Sequence, residues 1–155
     1  MLIRPATAED VPAILPMVRA ICALHESWDP DKYGFLDDIV QRYGWWLPKR
    51  AVDPKSIFLV AADQARIVGY LISTIEEEIP IYKLKQFGFI HDMWIEPEFR
   101  ARGIGRHLVD TAVARFAELG VTQVRLDTAR ANEAARRLFE SCGFRVSTME
   151  MLRVL

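Results

Sequence analysis

Residues 87–110, FGFIHDMWIEPEFRARGIGRHLVD, run from a strand into a helix through a loop of glycine and arginine. Phe87 to Ile95 is aromatic and apolar in the manner of a strand, and Pro97 stops it. From His107, the residues Leu108, Ala112, Val113, Phe116 and Leu119 fall on one helical face, with Gly120 as terminator. Between the two lies Arg100-Ala101-Arg102-Gly103-Ile104-Gly105-Arg106. Glycines let backbone approach a ligand closely, and the N–H groups of a turn entering a helix have no intrahelical acceptor, so they suit a phosphate or pyrophosphate. Three arginines add charge-assisted contacts. A tight turn with solvated arginines is the plainer reading of the same letters. No Gly-Lys-Ser/Thr follows, which excludes a P-loop, and the third glycine of a dinucleotide fingerprint is missing.

Upstream, Leu2 to Arg4 reads as a short strand, and Thr7 with Asp10 three residues on resembles a helix cap. Val11, Ile14, Leu15, Val18 and Cys22 then recur at helical spacing, with a kink or early break expected at Pro16. Leu36, Ile39, Val40, Tyr43 and Leu47 form a second helical stripe that Pro48 should stop. IFLVAAD and IVGYLISTI, separated by Gln64-Ala65-Arg66, read as a β-hairpin. Downstream, Val121 to Asp127 is a strand candidate, and Asn132 caps a helix in which Ala135, Leu138, Phe139 and Cys142 share a face before Gly143. Arg145 to Leu155 alternates enough to give one or two closing strands. This order predicts a mixed α/β layer fold.

The whole chain, residues 1–155, reads as a single domain. It is 51% hydrophobic and 26% charged, enough to fill a core, and 20 Lys plus Arg against 21 Asp plus Glu leave a net charge of −1. That balance removes the bulk attraction expected of a nucleic-acid or anionic-membrane binder. With no membrane-length apolar run and no basic-then-apolar leader, a cytoplasmic protein is expected. Cys22 and Cys142 are too few and too far apart for a disulfide framework or a zinc site, so no metal is expected.

The loop and its neighbours resemble the GNAT superfamily of acyl-CoA-dependent N-acyltransferases. Arg100-x-x-Gly103-x-Gly105 is similar to the family's Gln/Arg-x-x-Gly-x-Gly/Ala pyrophosphate loop, and HDMWIEPEFR resembles its fourth strand. Asn132-x-x-Ala135-x-x-Leu138-Phe139-x-x-x-Gly143-Phe144 resembles its later helix. The resemblance implies a central, mostly antiparallel twisted sheet of six or seven strands flanked by about four helices. It implies that the fourth strand bulges around Met93, Trp94 and Ile95 and splays from the fifth, the pantetheine arm of acetyl-CoA lying in the gap. Arg100, Ala101, Arg102, Gly103, Ile104, Gly105 and Arg106 would hold the pyrophosphate, Asn132 the pantetheine arm, and Phe139 would wall the cofactor. A homodimer is common among family members of this length.

Acetyl transfer needs a neutral amine, whereas an alkyl amine with pKa near ~10.4 is mostly protonated at neutral pH, so a base is required. His91 is the first candidate: an imidazole with an ordinary pKa of ~6.5 suits proton removal near neutrality, and alternation puts it with Phe89 and Met93. Alternation fails across a bulge, which keeps Asp92 as the competitor. Phe139 stands where the family often has a tyrosine that protonates the leaving thiolate, and a phenyl ring donates no proton. Water, Tyr82, Tyr70 or another hydroxyl is left for that task. Glu76-Glu77-Glu78 could attract a cationic acceptor, although a solvated charge run is the simpler account, and Trp45-Trp46 could line the cleft or pack a helix. The expected activity is direct transfer from acetyl-CoA to a small-molecule amine, with a protein or peptide amine, or non-catalytic acyl-CoA binding, as alternatives.

Overall fold

The hairpin of β2 (Ser56–Asp63) and β3 (Arg66–Glu77) forms the middle of the sheet in a computed structural model that describes residues 1–155. The sheet is five-stranded, with β1 (Leu2–Pro5), β2, β3, β4 (Gln86–Ile95) and β5 (Val124–Leu126) side by side in chain order. All neighbours are antiparallel except β4 and β5, which run parallel. The mixed α/β class stands; the strand count is five rather than six or seven. Arg145 to Leu155 forms no strand, and its apolar residues Val146, Met149, Met151 and Val154 are exposed. Period-two alternation alone does not make a strand; the segment has no partner along which to form a ladder.

Alternation along β2 and β3 feeds two separate cores. Phe58, Val60, Tyr70 and Ile72 face α1 (Val11–Trp28) and α2 (Ile39–Val52) and pack with Ile14, Val18 and Leu47. Ile57, Leu59, Leu71 and Ile90 face the opposite way, against Leu108, Ala112 and Phe116 of α3 (Ile104–Glu118) and Phe139 of α4 (Glu133–Ser141). Helices therefore cover both faces of the sheet.

The chain enters α1 through a turn at Ala8–Asp10, where the Thr7 backbone N–H donates to Asp10 Oδ2 at 2.8 Å. Arg4 grips the same carboxylate through two 2.7 Å bonds. α1 continues unbroken through Pro16, and α2 through Pro48. Each proline removes only one backbone bond, and the buried stripe on α1, with Leu47 on α2, holds the helices to the sheet. Leu36 lies before α2 and is exposed. α3 begins three residues earlier than the apolar stripe suggests, directly after Gly103.

Two features of β4 set up one end of the molecule. Ile72 pairs with Asp92 and Ser73 with Ile90, so His91 is the extra residue of a bulge. The expected bulge at Met93 to Ile95 is thus displaced to His91, and Met93, Trp94 and Ile95 pair regularly with Leu71, Tyr70 and Gly69. β5 is only three residues long and pairs with Gly88, Phe89 and Ile90 alone. Past Ile90 the two strands part, leaving His91 to Ile95 without a neighbouring strand on that side.

Candidate active site

The loop after β4 reaches α3 through a turn at Pro97–Phe99 and two left-handed residues, Ala101 at φ 59° and Gly103 at φ 80°. Left-handed backbone is ordinary for glycine and strained for alanine. A Cβ on Gly103 would meet no atom within 4 Å, so the space beside the loop is open there. None of the backbone N–H groups from Ala101 through Arg106 has a protein acceptor, and the first bond of the helix is His107 N–H to the Gly103 carbonyl at 3.1 Å. A row of unpartnered donors at the positive end of a helix is an anion cradle. Each arginine of the loop is tied to a backbone carbonyl: Arg100 Nε donates to the Ile95 carbonyl at 2.8 Å, Arg102 to Glu98 O at 2.7 Å, and Arg106 to Ser141 O at 2.7 Å. Arg100 also lies over the Trp94 ring, 4.6 Å from its centroid.

Gly105 serves a different end from Gly103. It is buried, and a Cβ there would come within 2.9 Å of Leu138 and 3.4 Å of Ile95, so its missing side chain lets α4 pack onto α3. Asn132 caps α4: its Oδ1 accepts from the Ala135 N–H at 3.1 Å, leaving the side-chain NH2 without a protein partner. Phe139 is only 8% exposed and packs edge-to-face on Phe144, 5.5 Å away, within the α3 core. Its ring is core rather than a wall open to a ligand. Met93 and Ile95 pack toward that core as well, while Trp94 points to the opposite one.

The bulge turns His91 onto the α1/α2 side of the sheet, with Phe89 and away from Met93. Its Nε2 lies 2.6 Å from Thr74 Oγ1 and 3.6 Å from Glu76 Oε1, and Thr74 Oγ1 donates to Glu76 Oε1 at 2.5 Å. Phe89 and Trp46 stand edge-on to the imidazole at 5.1 Å and 5.6 Å. This enclosure lowers the imidazole pKa below its ordinary 6.5, opposed by the nearby Asp92 and Glu76 carboxylates. Asp92 points to a different partner, accepting 2.6 Å from Tyr43 Oη. Burial holds its carboxyl above the usual range, with the Tyr43 bond and His91 working against that rise.

Thr74, Glu76, Tyr43 and Trp46 thus join the two residues expected from the strand. Of the three acids, Glu76 faces His91, Glu78 pairs with Arg125 at 2.7 Å, and Glu77 is exposed. Trp46 is at the site and Trp45 is in solvent. Neither named tyrosine fits a proton donor for a thiolate: Tyr70 is 0% exposed in the α1 core, and Tyr82 is exposed on a turn. Burial pushes Cys22 up to about 11 and raises Cys142 as well, so neither thiol is a ready nucleophile. No helix is long and apolar enough to cross a membrane.

The sequence matches the model of the acetyltransferase (GNAT) family over residues 20–144. A mycothiol acetyltransferase from Propionibacterium freudenreichii is 30% identical over 100 residues, covering 64% of this chain and 30% of that protein. An uncharacterized N-acetyltransferase from Archaeoglobus fulgidus is 31% identical over 102 residues, 66% of this chain and 67% of that one. The match therefore spans less than a third of the mycothiol enzyme and about two thirds of the archaeal protein. The BH1408 protein from Bacillus halodurans, solved as a tetramutant, superposes with a TM-score of 0.86 over 100% of both chains at 23% identity, a likeness of fold.

Proposed function

Because the chain belongs to the acetyltransferase (GNAT) family, we propose that this acyltransferase moves an acetyl group from acetyl-CoA directly to the nitrogen of a small-molecule amine. The observation that carries this reading is the unpartnered row of N–H groups from Ala101 through Arg106, in a loop that carries Arg100, Arg102 and Arg106 and is open at Gly103. A pyrophosphate has the charge and the acceptor oxygens such a row requires. The free NH2 of Asn132 and the strand-free side of His91 to Ile95 offer polar backbone and side-chain groups to the amides of a pantetheine arm. These residues fit acetyl-CoA, which supplies an activated acetyl thioester.

His91 is the proposed base. It takes the proton an ammonium must lose before its lone pair can form the new C–N bond; as the C–S bond breaks, the second proton leaves the nitrogen and passes through water to the departing thiolate. Asp92 is a weaker candidate, since its carboxylate is already engaged by Tyr43. Both thiols being held protonated supports direct transfer over a cysteine-bound acetyl group.

Free-thiol release from acetyl-CoA, measured with separate pools of polyamines, aminoglycosides, amino acids and short peptides against a no-acceptor control, tests the reading. Release with one small-amine pool is expected. Release with peptides alone moves the acceptor to a protein amine, and release with none, alongside tight CoA binding, replaces catalysis by binding.

A further inference from the structure

The hydroxyl of Thr74 has one hydrogen and two close neighbours. As a carboxylate, Glu76 offers only acceptors, so the 2.5 Å contact to Glu76 Oε1 uses the Thr74 hydrogen. The Thr74 oxygen must then accept in its 2.6 Å contact with His91 Nε2, which places the imidazole hydrogen on Nε2. A neutral imidazole protonated at Nε2 keeps its lone pair on Nδ1.

From this geometry we infer that Thr74 and Glu76 are positioning residues, a carboxylate–hydroxyl relay that fixes His91 with Nδ1 as the nitrogen that takes the acceptor's proton. The inference rests on His91 being the base. Thr74 is itself buried and Phe89 and Trp46 flank the ring, so the relay holds its orientation as well as its hydrogen. When Nδ1 takes a proton from the amine, the ring becomes cationic and Nε2 keeps its hydrogen toward Thr74. Glu76 then faces a positive ring at 3.6 Å and stabilises it without receiving a proton. The charged groups acting on the imidazole are Glu76 from β3, Asp92 from β4 and Arg50 from α2; the carboxylates favour the cation and the guanidinium opposes it.

The test pairs nitrogen-15 NMR of histidine-labelled full-length protein with pH profiles of kcat/KM, using His91→Ala to identify the His91 signals. In the wild type the Nε2–H tautomer is expected. Glu76→Gln keeps an acceptor for Thr74 but removes the charge, so the His91 titration midpoint and the acid limb of kcat/KM should both move to lower pH by the same amount. Thr74→Val should mix the two tautomers and lower kcat roughly tenfold with CoA affinity unchanged, and Thr74→Ser should restore both. An Nδ1–H tautomer in the wild type, or a midpoint unmoved in Glu76→Gln, overturns the relay even if His91→Ala abolishes turnover. An NMR midpoint that moves while the kinetic limb stays put overturns instead the premise that His91 is the base, and the relay's catalytic role with it.

Discussion

Tyr43 Oη donates to Asp92 Oδ2 at 2.6 Å, so one hydrogen bond ties α2 to the strand residue immediately after the bulge. The bond satisfies a carboxylate that burial would otherwise penalise, and burial also raises the Tyr43 phenol well above its ordinary value. It therefore fixes which way β4 presents His91 and Asp92: one toward Thr74 and Glu76, the other into the helix layer.

Tyr43→Phe should destabilise the fold by about 1–3 kcal/mol, because it leaves an enclosed oxygen without its donor. The pH dependence follows from Asp92. Its folded pKa lies above the unfolded one, so its contribution to stability is fully present below the unfolded value and is lost as pH rises through the folded value. Removing the Tyr43 bond raises the folded value further and carries the loss to higher pH. Asp92→Asn keeps an oxygen for Tyr43 and removes the titration. Urea midpoints between about pH 3 and 7 should show a steeper decline in Tyr43→Phe and a flatter one in Asp92→Asn than in wild type. Parallel curves for all three would exclude this role.

The opposite sign governs Asp10. Arg4 and the Thr7 backbone hold its carboxyl down to about 2, so its stabilisation is present above the ordinary carboxyl pKa and is lost as pH falls through about 2. Asp10→Ala should cost about 1–2 kcal/mol at pH 7, the usual worth of a helix cap. Solvent around the partly exposed Arg4 limits what the ion pair adds. The gap between variant and wild type should narrow steadily below about pH 4 and close near the folded value. A gap independent of pH would assign the effect to packing alone.

The loop between β4 and α3 was legible because its signals are local. Gly103, the arginines and the α3 stripe lie within one stretch, and each letter has a direct backbone consequence. The chain ends and the proline breaks were less so. Pro16 and Pro48 look like stops until the sheet they pack against is known, and Arg145 to Leu155 alternates like a strand yet has no ladder to join. The surroundings of His91 were hidden for a third reason. Thr74 and Glu76 meet it only through the β3–β4 register, and the one-residue bulge at His91 resets the alternation by which a strand is read. Glu76 and Thr74 do carry a signal, two polar residues spaced by two at the end of an apolar strand, but the signal does not name their partner.

Gly103 and Gly120 offer a matched comparison. Both sit in left-handed backbone, at φ 80° and φ 78°, with open space where a Cβ would go. Substitution at either should cost about 1–2 kcal/mol of backbone strain. Only Gly103→Val should also lose CoA binding, by roughly tenfold or more, because its side chain enters the N–H cradle. Calorimetric titration with CoA, beside circular dichroism to verify folding, separates the two. Equal CoA affinity in folded Gly103→Val and Gly120→Ala would move the pyrophosphate elsewhere.

His91 is tested through the form of its pH dependence. A base works only when unprotonated, so activity falls as pH drops through its pKa, and burial sets that value below the ordinary imidazole pKa of 6.5. The acid limb of kcat/KM should therefore lie on the acidic side of a free histidine, keeping the enzyme active under mildly acid conditions. His91→Ala should lower kcat by roughly 10²-fold or more, remove that limb, and leave CoA affinity unchanged, since His91 lies on the α1/α2 side of the bulge rather than in the N–H row. Asp92→Asn serves as the counter-test, because its carboxyl is raised and could give a limb in a neighbouring pH range. If the limb survives in His91→Ala and disappears in Asp92→Asn, proton removal belongs to Asp92. Tyr43 would then have to release that carboxylate when the amine binds.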